Sequence, residues 1–436
     1  MDKNNKRLEI VSGIKWTTVG TIVVALTALL KISILTRFLE KSDFGLMALI
    51  MFVLGFTDLF TDMGLTSAIL HKQNIAKKEY ASLYWFNIGF SLLLYALLFF
   101  VSPFIADFYE EPRLSILIPL LGLNIIASAI GRIFKTMEAK VLHFRRISIY
   151  EIIAAIISVL LAVVLAMNNY GILSLVYSAL LQYFTQNLLY FIHGYRKYGL
   201  LSHFKYRETK PFLKIGIYQV GGQVINYFNR DLDILIIGKV FGQEILGGYS
   251  LAKQLVYRPT QILNPIFTKV ASPVLAQMQH SLSDLRKNYL KFLNYVMTVN
   301  IPVYLGIIIF APFIVEVLYG TGYGDVVLLV RLLSVYMIFR AIGNPIGSLV
   351  IATGRTDLEF YWNLISLLVM PVCILIGSQF SIEIVPTSMI FAMILLLVPS
   401  WRFLVYRLTK ASFKEYILSL IPRLDFVKIF KTYIRK

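Results

Sequence analysis

The sequence predicts an all-α integral membrane protein of about twelve transmembrane helices in two parallel six-helix lobes, and three observations carry that prediction. The 436 residues are 58% hydrophobic and only 15% charged, too little polar surface for a soluble domain of this length. Apolar runs long enough to span a bilayer as helices, about 20 residues each, recur from end to end. Segments of the first half also reappear, in order, in the second half.

Taken in order, the runs place helices at 14–38, 44–70, 80–106, 114–135, 147–167, 172–193, 212–238, 245–275, 290–318, 325–353, 359–380 and 384–407. The polar start "MDKNNKRLEI" has no small-residue cleavage site, so the first span is expected to be retained. Between helices the charge alternates. One set of loops holds Lys3, Lys6 and Arg7, then Lys72, Lys77 and Lys78, then Lys135, Lys140, Arg145 and Arg146. It continues with Arg196, Lys197, Lys205, Arg207 and Lys210, then Arg286 and Lys287, Arg355 and the basic tail. The other set offers little beyond Lys41 and Arg113 and includes the acidic "ADFYEEP". Basic loops stay on the cytoplasmic side, so both termini are expected there. Trp16, Trp85, Trp362 and Trp401 fall near cytoplasmic helix ends, as interfacial anchors do. The organisation expected is a first six-helix lobe at 1–193, a cytoplasmic linker at 194–211, a second lobe at 212–408 and a tail at 409–436. Alternating apolar and basic residues around Pro422 make that tail either an amphipathic helix pair on the inner leaflet or a solvated basic segment.

The repeat is specific. "LKISILTRFLEKSDFGLMAL", from Leu30, aligns without gaps on "LDILIIGKVFGQEILGGYSL", from Leu232, pairing Arg37 with Lys239 and Gly45 with Gly247. "SPFIAD" from Ser102 then matches "APFIVE" from Ala311, and "SAIGR" from Ser128 matches "RAIGN" from Arg340. Six helices is an even number, so the two copies share one orientation about a pseudo-twofold axis along the membrane normal, with substrate sites between halves near the midplane.

Three segments carry a family resemblance: "NYFNRDLDILIIGKVFGQEILGGYSLA", "DFGLMALIMFVLGFTDLFTDMGLTSAILHK" and "FYEEPRL". From about Ser42 to Arg355 the chain resembles the polysaccharide repeat-unit (Wzx-type) flippases of the multidrug/oligosaccharidyl-lipid/polysaccharide exporter superfamily. The last two helices and the tail carry no matching motif. The resemblance implies a twelve-helix, two-lobed transporter that moves an undecaprenyl-diphosphate-linked oligosaccharide from the cytoplasmic to the outer leaflet. It also implies a bacterial inner membrane, an anionic substrate headgroup and a cationic cavity to receive it.

An ionisable residue near the bilayer centre costs roughly 2.5–3.5 kcal/mol to insert and should face protein or water. Gln219, Gln223, Asn226, Arg230 and Asp233 fall on one helical face. Two readings stand for that face: a cavity lining, or a structural network in which Arg230 and Asp233 neutralise each other. Asp231 points off it and has no assigned partner. Under the repeat Lys31 is the counterpart of Asp233, so either the two attract across a cavity and hold the outer side closed, or Lys31 snorkels outward. Asp58 and Asp62, at i and i+4, should repel and raise at least one pKa, which suits a proton or cation coupling site. For Asp62 a capping or loop-lysine role competes.

Lys253, Arg258 and Lys269 share a proline-kinked helix with Pro259 and Pro265. Arg258 is the first candidate for the pyrophosphate, because a guanidinium grips phosphate oxygens bidentately; a helix–helix tie is its alternative. Arg340 and Arg132, which flank the repeated "AIG", come next.

The net charge of +18 is dispersed, without the clustered basic and aromatic residues of a nucleic-acid groove, and suits anionic phospholipids instead. Cys373 is the lone cysteine, so the chain holds no internal disulfide and no cysteine metal cluster. The histidines His71, His143, His193, His203 and His280 lack metal-ligand spacing, and no phosphate-loop motif is present. Neither an enzyme nor a cofactor is expected. Energy would come from an H+ or Na+ gradient, the membrane potential or consumption of product, with a polysaccharide polymerase and glycosyltransferases as candidate partners. The rivals are a lipid II flippase and a drug/cation antiporter of the same superfamily. The intramembrane cations argue against the antiporter, and the short outer loops argue against a glycosyltransferase.

Overall fold

The computed structural model describes residues 3–72 and 74–422, apart from the side chains of 3–12, 14, 214–219, 266, 269–270 and 273. Gln219 and Lys269 lie among the side chains outside the described residues, as does the tail beyond 422. The regular elements described are helical: α1 (Lys3–Leu35), α2 (Lys41–Asp62), α3 (Leu65–His71), α4 (Lys77–Tyr109), α5 (Leu114–Lys140), α6 (Phe144–Met167) and α7 (Ile172–Tyr198). They continue with α8 (Tyr206–Gln277), α9 (Leu282–Tyr319), α10 (Val326–Thr353), α11 (Thr356–Gly377), α12 (Ile384–Ser400), α13 (Tyr406–Thr409) and α14 (Phe413–Ser419).

Packing is inverted relative to a soluble protein. On α6 most buried positions are small (Ser148, Ala154, Ala155, Ser158, Ala162 and Ala166, with Ile147 the exception), while Ile156, Leu160 and Val164 face outward. Leu93, Leu97, Phe100 and Phe104 do the same on α4. In lipid there is no hydrophobic gain from burying leucine, so helices meet through small residues that let backbones approach.

Ten helical stretches among the described residues are long and apolar enough to cross a bilayer. Of the twelve expected, α7 falls short because Gln182, Thr185, Gln186 and Asn187 lower its hydropathy. The other arises because α8 is continuous through two expected helices. Its one residue outside helical space is Gly242 (φ 78°, ψ −178°), a conformation that L side chains rarely adopt. A Cβ on Gly238 would lie 3.2 Å from Leu246 Cδ2. Eight residues of straight helix rise about 12 Å, so the chain doubles back at Gly242.

Contacts divide the chain into two compact units, Met1–Gly247 and Gly248–Lys436. The division falls inside α8 rather than in the expected 194–211 linker, because the first arm of α8 packs on α2 and α4. Tyr227 donates its hydroxyl to Phe52 O (2.6 Å), Tyr109 to Leu235 O (3.4 Å), and Lys239 pairs with Glu110 (2.8 Å). The linker itself shrinks to 199–205, since α7 runs on to Tyr198 and α8 begins at Tyr206. It is fastened to α4: Trp85 Nε1 donates to Leu201 O at 3.0 Å and Lys205 N to Ser82 Oγ at 3.0 Å.

In the first unit the loop ends sort by charge. Lys140 Nζ, at the end of α5, donates to Lys72 O, just past the end of α3. Glu138, only 2% exposed, gathers Lys197 (2.7 Å), Arg146 (2.6 Å), His143 (2.9 Å) and the Tyr198 hydroxyl (2.7 Å), tying α5, α6 and α7 together at this basic end.

In the second unit the start of the tail is built into the fold rather than lying free. Tyr416 is fully buried in a core cluster with Leu293, Leu404 and Leu408. Arg286 pairs with Glu415, and Asn294 Nδ2 donates to Ser419 O (3.1 Å) and Ile421 O (2.6 Å).

Candidate substrate and gating sites

The acidic pair of α2 is bridged. Arg132, from α5, reaches Asp58 Oδ1 at 2.5 Å and Asp62 Oδ1 at 3.6 Å. A guanidinium thus offers donors to both carboxylates and offsets their repulsion, and its own charge has a use inside the first unit. Asp62 also accepts from Thr66 Oγ1 (2.5 Å) and Thr66 N (3.4 Å) across the break at Met63–Gly64, which is the capping role. The same helix–helix contact recurs in the second unit. Asn344 Nδ2 donates to Asn264 Oδ1 at 2.6 Å, and the repeat equates those positions with Arg132 and Asp62. A charged tie in one unit thus corresponds to a neutral amide tie in the other.

On the first arm of α8, Arg230 Nε donates to Asp231 Oδ2 at 2.7 Å and its guanidinium stacks 5.4 Å from the Tyr227 ring centroid. Asp231 therefore gains the partner that helical spacing alone did not supply. Asp233 is 2% exposed and accepts from the Ile234 amide (3.0 Å). Gln223 is half-buried and Asn226 exposed. Behind this arm Phe52, Phe56, Tyr227 and Phe228 form an aromatic cluster, with Phe52 and Tyr227 centroids 5.2 Å apart.

Lys31 turns inward to α6. Its Nζ donates to Ser158 Oγ at 3.0 Å, and the Ser158 hydroxyl donates in turn to Ser178 O (2.8 Å). It neither snorkels nor meets Asp233 here, because a buried hydroxyl relay on the neighbouring helices lies closer.

At the opposite end from the basic loops the repeat-related glycines come close to one another's helices. A Cβ on Gly45 would sit 2.7 Å from the Gln243 carbonyl carbon and 3.0 Å from Gly247 N. A Cβ on Gly247 would sit 2.6 Å from the Lys41 carbonyl carbon and 3.2 Å from Gly45 N. The repeat pairs Gly45 with Gly247 and Lys41 with Gln243, so the contact is reciprocal: each glycine covers a peptide carbonyl one turn back on the other helix.

In the second unit the cations gather on aromatic rings. Lys253 lies 5.4 Å and Arg340 5.6 Å from the centroid of Tyr257, and Arg340 Nη1 donates to the Tyr336 hydroxyl at 2.7 Å. Arg258 stands apart: Nη1 donates to Gln261 Oε1 (3.1 Å), while its buried Nε has no hydrogen-bond partner among the described residues. A buried guanidinium donor left over is costly unless something accepts from it. Sequence reasoning found the three cations and missed Tyr257, Tyr336 and Gln261. Lys253–Tyr257 and Tyr336–Arg340 are i, i+4 pairs, the spacing that could have found them. No group of histidine, cysteine and acidic residues able to hold a metal occurs among the described residues.

The profile of the family described as "Polysaccharide biosynthesis protein" matches residues 34–328. The lipopolysaccharide biosynthesis protein WzxC of Escherichia coli (strain K12) is 28% identical over 95% of this chain and 84% of its own length. The amylovoran biosynthesis protein AmsL of Erwinia amylovora is 32% identical over 70% of this chain and 79% of its own. Among solved structures, the lipid II flippase MurJ, in an inward closed conformation, superposes with a TM-score of 0.73 at 17% identity, covering 96% of this chain and 92% of that one. An inward-facing multidrug resistance MATE family transporter gives 0.67 at 16% identity, over 91% and 99% of the two chains. At these identities the structural likenesses speak for the fold alone.

Proposed function

The chain belongs to the polysaccharide biosynthesis protein family, and from that membership we propose that it flips an undecaprenyl-diphosphate-linked oligosaccharide repeat unit from the cytoplasmic to the outer leaflet by alternating access. It is an all-helical, multi-pass membrane protein, and the substrate class is that of lipopolysaccharide, capsule or exopolysaccharide precursors. The observation that carries the diphosphate headgroup is the buried, unpartnered Nε of Arg258 within the second unit. A phosphate oxygen is the acceptor that donor lacks, with Lys253 and Arg340 as further cations on α8 and α10.

The proposal includes twelve spans, both termini in the cytoplasm and a place in the bacterial inner membrane. The clustering of Lys72, Lys140, Arg146 and Lys197 at one loop end of the first unit supports that orientation. The reciprocal Gly45–Gly247 crossing then belongs to the outer side, where its closing and parting would gate release. Coupling to H+ or Na+ is proposed at Asp58: its protonation or ion binding would loosen Arg132, which it holds at 2.5 Å. The chain carries substrate and performs no catalysis; glycosyltransferases act before it and a polymerase after it.

The test is complementation. Deleting the gene should leave lipid-linked repeat units in the inner leaflet, and the wild-type chain should restore surface polysaccharide. Arg258→Ala should fail to restore it while reaching normal membrane abundance. Normal polysaccharide in the deletion strain, without a second flippase, would refute the reading. Lipid II transport is the second reading, favoured by the MurJ-like fold; rescue of a MurJ-depleted strain would establish it instead.

A further inference from the structure

A cavity of about 1070 Å³ opens at the basic loop end of the first unit, walled by α4, α5, α7 and the 199–201 segment. Its walls are apolar and aromatic, with Ile133, Phe134 and Tyr84 at the back. Exposed Tyr195, Val141 and Leu201 stand at its mouth. Two lysines line it. Lys77 makes no ion pair among the described residues, and Lys140 Nζ is held by the Lys72 carbonyl rather than by a carboxylate. The acid in the lining, Glu79, is already engaged by Lys72 (2.6 Å) and the Ala76 amide (2.8 Å). Two positive charges thus remain available to a ligand beside an apolar wall. Trp85, half-exposed and donating to Leu201 O at 3.0 Å, marks this level as the membrane interface.

We propose that this cavity is a binding site for an anionic phospholipid, with its phosphate between Lys77 and Lys140 and its upper acyl chain against Phe134 and Ile133. The chemistry fits on each side. A basic pocket between membrane helices recognises an anionic headgroup. The volume exceeds the roughly 300–1,000 Å³ of ordinary small-molecule pockets, which leaves room for glycerol and the start of the chains. The site draws on α4, α5 and α7 and on none of the residues proposed for transport, so it stands whether or not the transport reading does. Its consequence is a lipid that braces the linker between the arms of the fold, making activity sensitive to bilayer charge.

The test uses the purified full-length chain in detergent, with lipid retention read by native mass spectrometry and thermal unfolding read in parallel. Phosphatidylglycerol should be retained and should raise the unfolding temperature, while phosphatidylcholine and inorganic phosphate should do neither. Lys77→Gln/Lys140→Gln should weaken phosphatidylglycerol retention about thirtyfold, at roughly 1 kcal/mol per basic residue near an anionic surface. Val141→Trp, at an exposed wall position, fills the mouth without removing charge and should lower retention too, which keeps the test alive if the double variant folds poorly. Equal retention of phosphatidylglycerol by wild type and both variants would overturn the proposal. So would equal stabilisation by phosphatidylcholine, or reproduction of the effect by inorganic phosphate alone.

Discussion

Placing one methyl group at Gly45 tests the reciprocal crossing directly. The added Cβ of Gly45→Ala would lie 2.7 Å from the Gln243 carbonyl carbon, closer still to its oxygen, and 3.0 Å from Gly247 N. Ordinary contact between such atoms is about 3.5–4.0 Å, so α2 and α8 must part by roughly 1 Å. The obstacle is backbone on a helix, which cannot swing aside as a side chain can. Overpacking of this kind costs about 1–3 kcal/mol, charged only to states in which the two helices touch. A state in which they have parted is unaffected, so the balance should move toward it by about 5- to 150-fold. Leu246 is fully buried here, which makes Leu246→Cys in a Cys373→Ser background a reporter of parting. Its labelling by a membrane-impermeant maleimide should accelerate within that range when Gly45→Ala or Gly247→Ala is added. Because both substitutions break one contact, the double variant should gain less than the product of the singles. Unchanged labelling and unchanged polysaccharide export in both single variants would refute the reasoning.

The remaining predictions concern charge and the tail. Arg132→Ala strands two carboxylates and should lower thermal stability more than Asp58→Asn, which strands none. About 1–3 kcal/mol is expected, short of a fully buried pair because the Asp58 side chain is 60% exposed; equal losses would contradict the bridge. The hydrogen bond from Ser412, then Arg286, lowers the Glu415 carboxyl from 4.5 to about 2. A depressed carboxyl stabilises the fold above its unfolded value and loses that contribution as pH falls from about 4.5 toward 2. Melting curves of wild type and Glu415→Gln should therefore converge as the pH is lowered through that window. Salt should shrink the difference at pH 7, since the group is exposed. Tyr416→Ala should cost about 3–5 kcal/mol, as large buried aromatics do, and an unchanged melting temperature would contradict its docking.

Much of this architecture is legible in the sequence because lipid imposes a simple rule on composition: the spans expected at 80–106, 147–167 and 325–353 lie within about three residues of the ends of α4, α6 and α10. The repeat was legible too, and it named Gly45 and Gly247 as a pair before their contact was visible. Charge partners were not. Helical spacing tracks where a Cβ points, but a guanidinium on three methylenes can reach back to its sequence neighbour, which is how Arg230 found Asp231. Arg132 reaches Asp58 across 74 residues of sequence, a separation on which periodicity is silent. The docking of the start of the tail was not legible, for a compositional reason. Its lysines and arginines suggested a surface helix, while the residues that decide its place, Tyr416 and Ile417, are apolar and pack on the core of the second unit.

That docking has a consequence for how the protein is made. Translation proceeds from the N-terminus, so α9 through α12 enter the bilayer before Tyr416 has left the ribosome. Until then the pocket beside Leu293, Leu404 and Leu408 stands open, and the second unit cannot close its core. Completion of the fold thereby waits for the segment that carries Tyr416: a chain cut short of that residue yields a set of inserted helices with a hole where its ring belongs. Such a product is membrane-embedded yet unfinished, the kind of substrate that quality-control proteases of the bilayer are built to extract.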